Sequence, residues 1–357
     1  MQTHKNSCCA FINATRTAIE CGVPRLVRGS PILEVIQHSF AISNPIQRVV
    51  IPVGRQSNTF AALAETMWVL GGRNDIEFLM PYMPKNAVRN SDDGKTWRGA
   101  YGPRIRSWIG RANTQIDQLK EVVRLLCEDR NTRRAVISLF DPAEDFTSSL
   151  DIPCNNWIHA IIRDNRLHLT IAIRSNDIWY GMSHINLFEW SVLQEAIALW
   201  TNADVGSSAM IIGSMHLYDQ HIPAARSVLA NWKDLTIYEY AITPVSFDVK
   251  LNSLDDDLSA WFEAEELARR DDSSKLATGL LEKSKFLSAA LSMSIIWHCI
   301  KRGDNRTAYS TLLAMDNSDF KAAAVDWLIR KNVITSEDKA LEDGIREYFA
   351  DTGPACR

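Results

Sequence analysis

Two apolar runs, Trp157 to Arg163 and Arg166 to Arg174, are separated only by Asp164-Asn165, and that spacing constrains the fold more than anything else in the chain. An Asp-Asn link accepts left-handed backbone readily, so the runs are expected to form a two-residue hairpin. In the second run Leu167, Leu169, Ile171 and Ile173 share one face, and His168, Thr170, Ala172 and Arg174 share the other. This is the period of a half-buried strand, with Arg174 at its end on the more polar side. Asn186 to Trp200 then reads as a helix too apolar for a surface, and therefore central. Strand, turn and helix signals recur as far as Asp248, giving a mixed α/β (α+β) sheet domain over residues 1–250. Beyond Leu251 the pattern changes. Asp255-Asp256-Asp257 is a helix start, and helical spacing follows at Leu258 to Arg270, Lys275 to Ile300, Thr307 to Met315, Phe320 to Arg330 and Lys339 to Phe349. Residues 251–357 are expected to form a helical region of unknown role.

The net charge of −4 over 357 residues gives no bulk attraction to nucleic acid or to acidic membranes. Seven cysteines are scattered, odd in number and without metal-ligand spacing, which favours a reduced cytoplasm over a disulfide framework and predicts no metal. No secretory leader is apparent, and the longest apolar run, Leu287 to Ile300, is too short to span a bilayer. Walker loops, Gly-x-Gly-x-x-Gly and Gly-x-Ser-x-Gly elbows are absent.

Along the chain, Val23 to Ser30 reads as a basic, turn-rich loop in which Gly29 beside Arg28 would let backbone approach an anion. Arg48 to Val53 reads as a short strand. Asn58-Thr59 can cap a helix from Phe60 to Leu70, in which Glu65 is the one acid among apolar residues. A buried carboxylate must be hydrogen-bonded or carry a raised pKa, so Glu65 is a candidate for proton handling. Gly99 to Arg106 leads into a predicted helix containing Trp108, and Gln115 to Glu128 has helical periodicity. Arg133-Arg134 precedes a strand from Ala135 to Phe140. Adjacent strand residues face opposite ways, so two arginines on one anion would need irregular backbone or a subunit boundary.

Cys154 follows Pro153 at the start of a strand. A thiolate that adds to C6 of a pyrimidine makes C5 an enolate-like carbon able to attack a one-carbon electrophile, and nearby guanidinium groups would favour that thiolate. The ordered set Pro153-Cys154, Arg174-Ser175-Asn176-Asp177, Gly181 to Asn186 and His216-Leu217-Tyr218 resembles the thymidylate synthase family over roughly residues 20–225. The resemblance implies that family's fold, with residues 1–250 as the catalytic domain, and a homodimer. It implies Cys154 as nucleophile, with Arg28, Arg174 and Ser175 on the nucleotide phosphate and Arg133 and Arg134 lent to the partner's phosphate. It implies Glu65 as organiser of a proton-relay water, Asp177 beside base and folate, Asn186 as base reader, and His216 with Tyr218 on the sugar hydroxyl. Tyr101-Gly102 matches the loop that leads to the folate-side helix.

Four departures bear on activity. Asn155 stands where the family has histidine and is expected to join proton handling. No tryptophan-rich segment is recognisable between Tyr82 and Gly99, and the chain's end does not match the family's closing tail. Gly181 to Asn186 is one residue longer than the family's segment, so either Ile185 or Asn186 takes the base-reading place. The expected reaction is one-carbon transfer from 5,10-methylenetetrahydrofolate to C5 of a pyrimidine nucleoside monophosphate. Methylation of dUMP comes first. Hydroxymethylation of dUMP, dCMP or CMP by water capture comes second, and a non-catalytic nucleotide-binding interaction protein third.

Overall fold

A computed structural model describes residues 1–271 and 283–353. Seven strands form one mixed sheet: β1 (Gln2–His4), β2 (Val23–Val27), β3 (Ser30–Ile42), β4 (Val136–Ser138), β5 (Asn155–Arg163), β6 (Arg166–Asp177) and β7 (Asp204–Tyr218). Their order is β1-β3-β7-β6-β5-β4, with β2 paired to β3. β6 and β7 run parallel, which requires a crossover, and the long apolar helix between them supplies it. Asp164 and Asn165 take φ of 49° and 60° and join β5 to β6, the hairpin that the two-residue spacing calls for. Arg28 (φ 50°) and Gly29 (φ 76°) form a second such turn between β2 and β3. The segment read as a loop is therefore the tip of a hairpin.

Leu167, Leu169, Ile171 and Ile173 are buried on the inner face of β6, as their alternation dictates. Against that side pack α1 (Ser7–Cys21) and the crossover α3 (Leu187–Trp200), with α2 (Thr59–Leu70) packed on α3. Every residue of α2 is buried, and Asn58 caps it by accepting from the Ala61 amide at 3.2 Å. The outer face is different. Ile36, Val136, Trp157 and Ile211 are exposed there, 37% to 67% open. Trp157, Ala172, Ile211 and Ser39 lie in one row across four strands.

Four longer helices follow: α4 (Leu254–Arg269), α5 (Lys285–Arg302), α6 (Asn305–Ala314) and α7 (Asp319–Arg330), with α8 (Asp343–Thr352) after them. The start expected for α5 at Lys275 and the closing residues 354–357 lie outside the described residues. These helices share the apolar core of the sheet region. Trp297 of α5 packs 5.4 Å from Phe60 of α2, 5.7 Å from Tyr82 and 5.0 Å from Trp327 of α7, measured between ring centres. Beside it the buried Tyr82 hydroxyl donates to Glu265 at 2.7 Å, and Arg269 donates to the other Glu265 oxygen at 2.7 Å.

Two expected elements differ. Arg48 to Val53 is extended but joins no sheet. Its Arg48 guanidinium is buried against Glu195, and the Val49 amide donates to the Tyr238 hydroxyl at 3.0 Å, so side chains take the place of a partner strand. Trp108 lies in a two-residue strand with Ile109, paired to Gln115 and Ile116, because the helix before it ends at Arg106.

Candidate active site

Pairing in the sheet assembles the first part of the site. The parallel register of β6 on β7 sets Ser175 opposite Ser214 and Asp177 opposite His216. The His216 and Tyr218 rings then meet edge to face at 5.2 Å. Asp177 accepts from the Trp179 amide at 2.9 Å, and burial pushes its carboxyl up while His216 opposes.

Cys154 immediately precedes β5. The Arg174 amide donates to the Cys154 carbonyl at 2.9 Å, and its guanidinium donates to the carbonyls of Pro153 at 2.9 Å and Ile152 at 2.7 Å. One arginine thus fixes the loop that presents the thiol. Burial pushes the thiol pKa up; Arg174 and, more weakly, Arg28 pull it down without overcoming that. The guanidinium field anticipated from sequence is present, but desolvation outweighs it in this chain.

α2 supplies Glu65, which is 7% exposed, with Oε2 unpartnered among the described residues. Burial, with the charge of Asp151 second, pushes Glu65 up to about 8. The carboxyl therefore holds its proton at neutral pH and can donate it. Glu189 is also buried, and its pKa is raised, first by burial and then by the charge of Glu65, while the Asn186 amide opposes the rise.

These groups line one cavity of about 460 Å³. Arg28, Glu65, Cys154, Arg174, Ser175 and Asp177 face it, and so do Asn186, His216 and Tyr218. Ile178–Asn186 is a π-type turn in which the Leu187 amide reaches back to Met182, five residues earlier. Such a turn holds one residue more than an α-helical one, and both Ile185 and Asn186 line the cavity.

Three sequence candidates lie elsewhere. Asn155 is fully buried behind the cavity, where its amide donates to the Tyr101 hydroxyl at 2.6 Å and accepts from Trp190 at 3.1 Å. It does not line the cavity itself but holds Tyr101, which does. Arg133 and Arg134 are exposed on irregular backbone ahead of β4, outside this chain's own cavity. Sequence reasoning passed over Trp68, Trp97, Asp151 and Tyr180, which all line the cavity. Asp151 alone carried a signal: it is an acid on the apolar approach Leu150-Asp151-Ile152-Pro153 to the thiol. A second hollow of about 390 Å³, lined in part by Arg55, Asn58, Tyr82, Lys85 and Trp179, meets the first at Tyr180.

A family model described as thymidylate synthase matches residues 10–254. A deoxyuridylate hydroxymethyltransferase of Bacillus phage SP01 is 27% identical over 95% of this chain and 96% of its own length. One from Delftia phage PhiW-14 is 34% identical over 57% of the chain and 58% of its own. A thymidylate synthase of Staphylococcus haemolyticus is 31% identical over 36% of the chain and 40% of its own. No described helix is long and apolar enough to cross a membrane. The matched span takes in the thiol, the β6–β7 ligand row and the buried glutamate alike, and the chain belongs to the thymidylate synthase family of enzymes.

Proposed function

We propose that this enzyme transfers a one-carbon unit from 5,10-methylenetetrahydrofolate to C5 of dUMP and releases 5-hydroxymethyl-dUMP. The observation that carries the reading is the convergence of Cys154, Glu65, Arg174-Ser175, Asn186 and His216 on one cavity. The aromatic walls Trp68, Trp97, Tyr101 and Tyr180, continued by a hollow with Arg55 and Lys85, fit a flat pterin with an anionic tail. When bound, the folate supplies the carbon at the formaldehyde oxidation level.

The Cys154 sulfur adds to C6 of the base, and the enolate that forms is held near the buried, protonated Glu65. Ser175 and the guanidinium groups of Arg28 and Arg174 hold the phosphate. His216 and Tyr218 hold the sugar, and Asp177 borders base and folate. The Asn186 amide both donates and accepts, as uracil's O4 and N3–H require.

Water capture ranks above methylation because relatives that align along nearly the whole chain carry a hydroxymethyltransferase name. Methylation, with folate also giving hydride, is the second reading, favoured by the synthase relatives. Incubation with dUMP, dCMP or CMP and labelled methylenetetrahydrofolate separates them. Tetrahydrofolate with a hydroxymethylated nucleotide is expected; dihydrofolate with dTMP would overturn the reading. The outer-face row Trp157, Ala172 and Ile211, with Trp157 and Ile211 exposed, supports pairing of two chains through this face, with Arg133 and Arg134 passing to the partner's phosphate.

A further inference from the structure

We infer that Asp151 is the base that takes the proton from the water capturing the nucleotide's C5 methylene, and so a further catalytic residue of the reaction proposed above, on which this inference rests. Asp151 lies three residues before Cys154 and lines the same cavity as Glu65 and the thiol. Its Oδ2 accepts from the Gly99 amide at 2.8 Å, while no described residue donates to Oδ1. Its own amide donates to Ser149 Oγ at 3.1 Å, which fixes the backbone that carries it. Gly99 is shaped around this carboxylate: a Cβ there would stand 3.0 Å from both of its oxygens. The second acid in the cavity, Glu65, keeps an unpartnered, buried Oε2.

The two carboxyls are held apart in acidity. Burial raises both, Glu65 to about 8 and Asp151 to about 6. For Asp151 the Gly99 amide, Arg104 and Arg174 oppose the rise and Asp92 adds to it, and its charge in turn raises Glu65 and the Cys154 thiol. At neutral pH one carboxyl is therefore an acid and its neighbour a base, the division of labour that a pair with split acidities provides.

The step balances without a redox partner. After the folate leaves, the nucleotide carries a C5=CH2 bond, with sulfur on C6. Water adds its oxygen to the CH2 carbon and gives one proton to Asp151. The C=C electron pair moves to C5 and O4, then expels the Cys154 sulfur from C6 as C5=C6 re-forms. A methylating enzyme has no use for this base, since hydride brings no proton to remove.

Single-turnover assays with excess enzyme test the assignment. Asp151→Asn is expected still to release tritium from [5-3H]dUMP and to form the covalent adduct, at a rate that the lost charge beside Cys154 and Glu65 alters by less than about 10-fold, while hydroxymethyl product falls about 100-fold, within the range of a positioned base. Added thiol should then trap the stalled methylene as a thioether, and Asp151→Glu should restore part of the product rate. Gly99→Ala, which crowds the carboxylate, should show the same split more mildly and covers the case in which Asp151→Asn does not fold. Full product formation by Asp151→Asn, or an equal loss of tritium release and product, would overturn the assignment. If instead the wild type yields dihydrofolate, the parent reading fails, a result distinct from either.

Discussion

Glu65 keeps its proton in the neutral range because burial, and after it the charge of Asp151, disfavours its anion, whereas an exposed glutamate would ionise near 4.5. The folded chain therefore binds more protons at this site than the unfolded chain between 4.5 and about 8. Its contribution is fully present below the lower value and is lost as pH rises through the upper one. Glu65→Gln should flatten that decline, so urea midpoints of variant and wild type should diverge toward the alkaline end. Parallel midpoints across the range would show that Glu65 ionises normally. At this scale the sequence was informative wherever a residue's chemistry and its element agree, as for Glu65 on an apolar helix or His216 and Tyr218 on one strand. It did not show that Asn155 stands behind the cavity wall, its amide held by Tyr101 and Trp190, residues 54 and 35 positions away.

α2 is an element held from two sides, by the sheet's helices and by the later helices that begin at Leu254. Trp297 is 2% exposed, stacks on Tyr82 and donates from its indole to the Pro81 carbonyl at 3.2 Å. Trp297→Ala should cost about 3–5 kcal/mol by urea denaturation, the usual range for emptying a buried aromatic site. Turnover should fall too, because the cavity opens under Phe60, one helical turn before Glu65. Unchanged turnover would mean that α2 is rigid without this support. Periodicity located these helices, since packing against a common core demands it. It failed for Arg48 to Val53, an apolar run that looks like a strand but is buried as a connector by Arg48–Glu195 and Tyr238. Single-residue patterning cannot say which partner satisfies a backbone amide, and that choice separates the two outcomes.

For the whole molecule, the proposed sharing of arginines between two chains makes a prediction that a self-contained chain would not. An Arg133→Ala/Arg134→Ala double variant and a Cys154→Ser variant should each be nearly inactive. Co-refolded as an equal mixture they should recover about a quarter of the wild-type rate, since half the dimers are mixed and each mixed dimer has one intact site. No recovery, or sedimentation as a monomer, would remove the shared-site reading.

The β6–β7 register also has a kinetic meaning. Asp177 and His216 become neighbours only after strands separated by an entire crossover helix have found each other, and Arg28 and Glu65 arrive from still earlier segments. Helices assemble from near neighbours and recover within fractions of a second, whereas distant strand pairing is slow. When the denatured enzyme is diluted into buffer, far-ultraviolet circular dichroism should return well before the capacity to bind the nucleotide proposed as its substrate. The interval between the two signals would time the closing of the pocket.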